Sequence, residues 1–336
     1  MHQISAIWVG NPFFQSALSD LGWRVHYIHP GLDSVYTWEN LVAEAGFTPD
    51  IVVVADMSRP PFVVGMEKFP CLTAFYAVDT HIHSWFPHYA QGFDICLVSL
   101  KDHIPLFKGA DLADNFVWWS PPYADPSFQP RPCDPEQESW DVLFVGTVDK
   151  NINPERCAFF EELRPLLPGL HITRGSGSKL YPQAKIVLNH SIHNDLNFRV
   201  FEVLGSGRCL VTPFVHHGFS DLFTHGADLF AYDQNDVPGL AKLCEALLKA
   251  DARRENVAAS GHAKVAEQHY KHHRAETFAA RVVPLFVSGE AKNMIAARLR
   301  QAPSIHAKWL KLLYLHHAET AGNEKIGAAY LAAARR

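Results

Sequence analysis

One pattern occurs twice in this chain and restricts its fold more than any other feature. A short apolar run ends at a glycine or turn, and a stretch with helical spacing follows. In the first pass, Ile4–Val9 ends at Gly10, Pro12 opens a helix carrying Phe13, Phe14, Ala17, Leu18 and Leu21, and Gly22 stops it before Arg24–Ile28. Ile51–Ala55, Leu72–Val78, Ile95–Ser99 and Phe116–Trp119 continue the series. Trp140–Val145 then ends at Gly146 and restarts it, followed by a helix over Cys157–Leu167 and a strand over Leu170–Thr173. Ile186–Asn189, a helix over Phe198–Gly205, Cys209–Thr212, Leu229–Tyr232 and a helix opened by Asp236 complete the second pass. Apolar strands alternating with helices predict parallel sheets covered on both faces. Six prolines between Pro121 and Pro135 interrupt regular structure between the passes. The predicted fold class is therefore α/β, with two Rossmann-like domains facing a cleft and a C-terminal helical extension. The expected boundaries are 1–120, a proline-rich linker 121–138, 139–290, and a basic helical extension 291–336.

Composition narrows the function classes. At 336 residues with 48% apolar and 19% charged residues, the chain suits a globular enzyme. A net charge of −5 disfavours general nucleic-acid binding. No apolar run approaches the roughly 18 residues of a membrane span, and Met1–Gly10 lacks the pattern of a signal peptide. The cysteines at 71, 96, 133, 157, 209 and 244 are scattered and read as reduced core residues. A cytoplasmic location is the resulting expectation. The extension alone carries +6 against −11 for residues 1–290. That asymmetry suggests docking on its own acidic body, self-association, or contact with an anionic surface.

The densest chemistry runs from Asn189 to Thr212, N-H-S-I-H-N-D-L-N-F-R-V-F-E-V-L-G-S-G-R-C-L-V-T. It reads as a strand end, a polar loop, a short helix, a glycine stop and another strand. The helix start offers unpaired N–H groups and a positive dipole end, which suit a diphosphate. Arg199 adds a forked donor for phosphate, and Glu202, one turn inside, can accept both hydroxyls of a ribose.

This segment resembles the donor-binding region of GT-B glycosyltransferases of the group 1 type, and most of all their CgeB-like, spore-maturation branch. Leu196, Asn197, Arg199, Phe201, Glu202, Gly207 and Leu210 to Thr212 match the branch form. Glu202 falls at the second glutamate of the group 1 pair, while Asn194 stands at the first. Val142 to Gly146 looks like the strand and glycine that open the donor domain, Lys150 lies where the family often places a cation against phosphate, and Lys185 to Asn189 looks like the strand before the ribose helix. The resemblance implies transfer of a sugar from a nucleotide-sugar to a glycan, protein or lipid-linked acceptor. It also implies that protein cations, here Arg199 and Lys150, replace an obligatory metal or other cofactor. The donor-binding residues it implies are Gly146, Lys150, Asn189, Asn197, Arg199 and Glu202, with Arg174 and Ser176 near the nucleobase.

A second constellation is Asp79-Thr-His81-Ile-His83 after an apolar strand. Asp79 or His81 is a candidate base on the acceptor side should the reaction invert. The same H-x-H pattern also opens the metal site of amidohydrolase barrels, so a metal-dependent hydrolase using Asp79, His81 and His83 is one alternative. A catalytically silent sugar-nucleotide binder, suggested by Asn194, is the other.

Overall fold

A computed structural model describes residues 3–132 and 139–335. The chain divides into two compact units, Met1–Pro121 with Arg274–Arg336, and Pro122–His273.

In the first unit, β1 (Ser5–Gly10), β2 (Arg24–Ile28), β3 (Ile51–Ala55), β4 (Leu72–Ala77), β5 (Ile95–Val98) and β6 (Val117–Trp119) form one sheet in the order β2-β1-β3-β4-β5-β6. Every pairing is parallel. β3, β4 and β5 are buried at every position, which is why they read as apolar runs interrupted only by Thr73. The chain winds outward in both directions from β1, so the order reverses between β1 and β3. Gly10 ends β1 there with φ +118°, and a Cβ would lie 1.9 Å from the Ala55 carbonyl oxygen. Only glycine permits that approach.

The second unit repeats the design. β7 (Trp140–Val145), β8 (Leu170–Thr173), β9 (Ala184–Leu188), β10 (Cys209–Pro213) and β11 (Phe230–Tyr232) are parallel in the order β11-β10-β9-β7-β8. Here the order reverses between β7 and β9. Its core joins Val142, Phe144, Phe160, Leu163, Ile186, Val211, Leu240 and Cys244.

Two expected boundaries differ from the structure. The C-terminal segment is not a separate extension. Helices Glu290–Ile305, Lys311–Glu319 and Glu324–Ala334 place Ile305, Leu310, Leu313, Tyr314 and Tyr330 in the same core as Ile7, Val9, Val54 and Phe75. The unit boundary falls inside helix Lys271–Ser288 rather than after residue 290. Arg298 locks the packing from within: Nε donates to Asp94 at 2.9 Å, Nη2 to the carbonyls of Phe69 and Cys71 at 2.9 and 2.7 Å, and Nη1 to that of Met66. Of the three alternatives for this segment, packing on its own body is the one its apolar residues follow.

Nor is the proline-rich stretch a free linker where it is described. Ala124 exchanges backbone bonds with His269 and Lys271, at 2.9 and 3.0 Å, while the Tyr123 ring packs on Phe198 and Phe128 on Tyr181. Prolines exclude helix, but an extended segment still packs its aromatic residues. The remainder of the expected linker, residues 133–138 with Cys133, lies outside the described residues. The other five cysteines are buried and unpaired. Among the described residues, no helix is long and apolar enough to cross a membrane.

Candidate functional site

The carboxyl ends of strands flanking a reversal of strand order form a natural ligand site, because the helices that follow diverge to opposite faces. In the second unit this place lies between Gly146, after β7, and Asn189, after β9. Asn189 is 1% exposed and held on all sides. Its Nδ2 donates to Thr212 Oγ1 at 3.0 Å, and its Oδ1 accepts from Arg199 Nη1 at 2.9 Å. The Asn197 amide lies 3.4 Å away, at the N-cap of helix Phe198–Gly205. Arg199, the second residue of that helix, is therefore aimed by a buried amide. Its guanidinium lies 5.2 Å from the Phe144 ring centre, over the end of β7. A Cβ on Gly146 would meet Arg199 Nη2 at 3.4 Å and the Phe144 ring at 2.9 Å, so the glycine keeps this corner open.

A second arginine shares the ring. Arg156, in the first turn of helix Pro154–Leu166, sits 5.6 Å from the Phe144 centroid. It donates to the carbonyls of Thr147 and His190 at 3.1 and 3.4 Å, while its buried Nε has no hydrogen-bond partner. Burial first, then the charge of Arg199, lowers the Arg156 pKa. Two guanidinium groups against one aromatic ring, neither in an ion pair among the described residues, form a cationic corner. Beside it, burial and then the charge of Arg156 push the His190 imidazole down to about 4, so it is neutral at ordinary pH.

Glu202 belongs to the same cluster. Tyr181 lies near both Arg199 and Glu202, and both act on its phenol. Burial raises the Glu202 carboxyl, with Asp125 adding, against the pull of Arg199 and Tyr181. Burial also pushes the Tyr181 phenol up to about 12, so it stays protonated as a donor. Gly177 lets this tyrosine lie back on its own loop, since a Cβ there would stand 2.5 Å from the ring.

The structure therefore gathers Gly146, Asn189, Asn197, Arg199 and Glu202. Arg174 and Ser176 are exposed on the loop after β8, at the same edge of the sheet, with Ser176 Oγ 2.9 Å from Ser178 Oγ. Lys150 is exposed in the turn after β7 and makes no ion pair among the described residues. No contact joins it to the arginines. Arg156, Tyr181 and Gly177 carry parts of this site that sequence reasoning missed. An arginine in the first turn after Asn153-Pro154 was the available signal for Arg156.

Asp79, His81 and His83 follow β4 in the first unit. Asp56, 3% exposed, organises this loop by accepting the backbone N–H groups of Ser58, Val78 and Asp79 at 2.6, 3.2 and 2.7 Å. Burial drives its carboxyl up to about 6 despite these bonds. His83 Nε2 lies 3.1 Å from Ser58 Oγ, and Ser58 takes a left-handed φ of 52°. Burial lowers the His83 pKa, with Asp79 opposing. His81 is half-buried. Among the described residues, no three His, Cys, Asp or Glu side chains are grouped to hold a metal ion. The sheet carrying this loop is open, whereas an amidohydrolase needs a closed barrel.

Residues 158–280 match a family model described as glycosyl transferase-like. Solved structures similar to the chain include a glycosyltransferase from Rickettsia africae ESF-5, with TM-score 0.59, 10% identity, and coverage of 83% of this chain and 98% of that one. Sucrose-phosphate synthase of Thermosynechococcus elongatus aligns with TM-score 0.59 and 10% identity over 85% of this chain and 100% of its own. Anabaena HepE, solved with UDP and glucose, aligns with TM-score 0.56 and 10% identity over 84% and 100%. The fold is GT-B. No curated protein matches the chain. The family match begins within the helix that carries Arg156, just after that residue, and spans Tyr181, Asn189, Arg199 and Glu202.

Proposed function

We propose that this chain is a glycosyltransferase that takes its sugar from a nucleotide-sugar bound in the second unit. The observation that carries the reading is the pair Arg156 and Arg199 on the Phe144 ring, where strand order reverses and helix N-termini converge. In the reaction, the bond between the sugar's anomeric carbon and the diphosphate breaks, and the electron pair leaves with the nucleoside diphosphate. The acceptor oxygen bonds to the anomeric carbon and gives up its proton to a base or to the departing phosphate. The two guanidinium groups would stabilise the charge that develops on the diphosphate, a task for preorganised donors. Glu202 would hold the ribose, and Arg174 and Ser176 would lie toward the base. Lys150 would join only by swinging in from solvent. The first unit would bind the acceptor, with Asp79, His81 or the Ser58–His83 pair as the group available to a base-assisted reaction.

The resemblance of Leu196 to Thr212 to the CgeB-like branch supports that placement within the GT-B class. Asn194, at the position of the first group 1 glutamate, takes φ 58°, a left-handed conformation that asparagine tolerates better than glutamate. The donor sugar would then be held by other groups, the backbone of this loop among them. UDP is the first nucleotide to test, because HepE was solved with UDP and glucose.

Calorimetry with UDP and uridine tests the reading. Arg156→Ala and Arg199→Ala should each weaken UDP at least tenfold and uridine little. Equal losses for both ligands would remove the arginines from the phosphate site. Turnover of a nucleotide-sugar by the wild type, sustained within a few-fold in excess chelator, separates a metal-independent transferase from a silent binder and from a metal-dependent enzyme.

A further inference from the structure

The first unit contains a cavity of about 420 Å³ that the donor site does not use. Its wall comes from segments after β2 and β3 and from the turn between helices Lys311–Glu319 and Glu324–Ala334, and it includes Asp33, Arg59, His317, Thr320, Asn323 and Tyr330. Two nitrogen-bearing side chains from distant parts of the chain are incompletely used in this wall. Arg59 spends Nη1 on the Gly31 carbonyl at 2.9 Å. Its Nε and Nη2 are shielded from solvent and have no hydrogen-bond partner. Its guanidinium rests 4.9 Å from the Phe62 ring centre and forms no ion pair among the described residues. His317 Nε2 is likewise shielded and without a partner, its ring wedged against Trp85 at 5.3 Å and Tyr330 at 5.7 Å. The Tyr330 hydroxyl donates to the Pro61 carbonyl at 2.7 Å and accepts from none of these three nitrogens.

Shielded polar nitrogens without partners are uncommon in folded proteins, and two residues of one cavity wall that carry them call for a ligand. The acid in the wall, Asp33, is exposed and pairs with neither. Arginine's planar fork matches the geometry of a carboxylate or phosphate. We propose that this cavity binds a small oxyanion, the carboxylate or phosphate group of a ligand, between the Arg59 guanidinium and the His317 imidazole. Entry of the anion requires Arg59 to turn from Phe62 toward the cavity. Burial holds His317 neutral, at about 4, so it contributes a single N–H.

The proposal does not rest on sugar transfer, and its test reads the cavity alone. The full-length protein, labelled at histidine, is titrated with inorganic phosphate while the His317 ring signal is followed by NMR, assigned through His317→Gln. A saturable shift in the wild type that vanishes in Arg59→Gln and is retained, weakened, in Arg59→Lys is the expected result. A His317 signal that phosphate leaves unmoved, or one that moves equally in Arg59→Gln, overturns the proposal. Phosphate bound at the arginine pair of the second unit does not mimic this result, since the readout is local to His317. Transfer assays then identify the source of the anion. If the group belongs to the acceptor, Arg59→Gln slows acid-bearing acceptors at least tenfold and neutral ones little. If it is a free anion, added phosphate changes the wild-type rate and leaves that of Arg59→Gln unchanged.

Discussion

Glu202 and the arginines make separable demands on a nucleotide. If Glu202 holds the ribose, Glu202→Gln should weaken uridine and UDP by the same amount, about 1.5–3 kcal/mol for a charged hydrogen bond. The arginine substitutions, by contrast, should spare uridine. Calorimetry on the folded variant decides it, and a loss confined to UDP would move Glu202 into the phosphate site. His190 gives a prediction in pH. Its folded pKa, about 4, lies below the ordinary histidine value of about 6.5. A depressed pKa contributes stability that is present above the unfolded value and lost as pH falls toward the folded one. Wild type should therefore lose about 2–3 kcal/mol relative to His190→Gln between pH 7.5 and pH 4.5, read by urea unfolding at the two pH values. Parallel pH profiles would mean that His190 is not the neutral, buried group found here. Sequence reasoning reached Arg199 and Glu202 because a strand, a polar loop and a helix frame them within a short stretch. Arg156 escaped because its partners, Phe144 and Arg199, lie 12 and 43 residues away in the sequence and meet it only when β7 and β9 pair. Lys150 drew attention by position alone, and nothing in its turn anchors a long flexible side chain.

Strands were the most legible elements. Ile51–Ala55 is an unbroken apolar run and Leu72–Ala77 is interrupted only by Thr73, and burial on both faces demands that pattern. Helix packing was less legible, because an amphipathic stripe states that a face is buried but not against what. Ile305, Trp309 and Leu313 recur at helical spacing, yet the partner of this C-terminal segment is fixed by a residue outside that series. Arg298 is 5% exposed, and its ion pair with Asp94 reaches across 204 residues. Asp94 also accepts from Thr73 N and Oγ1 at 2.9 and 3.0 Å, so one buried carboxylate ties β4 to helix Glu290–Ile305. Arg298→Met keeps much of the apolar stem and removes every donor. It should cost about 3–5 kcal/mol by leaving the buried Asp94 charge without its counterion and three carbonyls short of a donor. Denaturant unfolding measures this, and a loss below 1 kcal/mol would reduce Arg298 to a packing residue.

At the scale of the molecule, the chain builds its first unit from two separated pieces. The charge asymmetry that singled out residues 291–336 is spent partly inside that unit, where Arg298 meets Asp94, and Lys308 and Trp309 meet Asp111. Truncation after Gly289 therefore removes more than an appendage. It strips Ile305, Leu310, Tyr314 and Tyr330 from the core around Phe75, Tyr89 and Phe93 and leaves Asp94 without its arginine. Each large core side chain removed costs about 2–5 kcal/mol, so the sum is comparable to the whole of the roughly 5–15 kcal/mol that holds an ordinary domain folded. The second unit keeps its own core and every residue of the candidate donor site. The truncated protein should consequently lose the cooperative unfolding of the first unit and expose apolar surface, while UDP still raises the melting temperature of what remains. Calorimetric melting with and without UDP, beside dye binding to exposed apolar surface, distinguishes the outcomes. A truncated chain that melts as the full one does would show residues 290–336 to be an appendage after all. One that loses every UDP-dependent shift while the second unit still melts cooperatively would show that the donor site draws on the first unit.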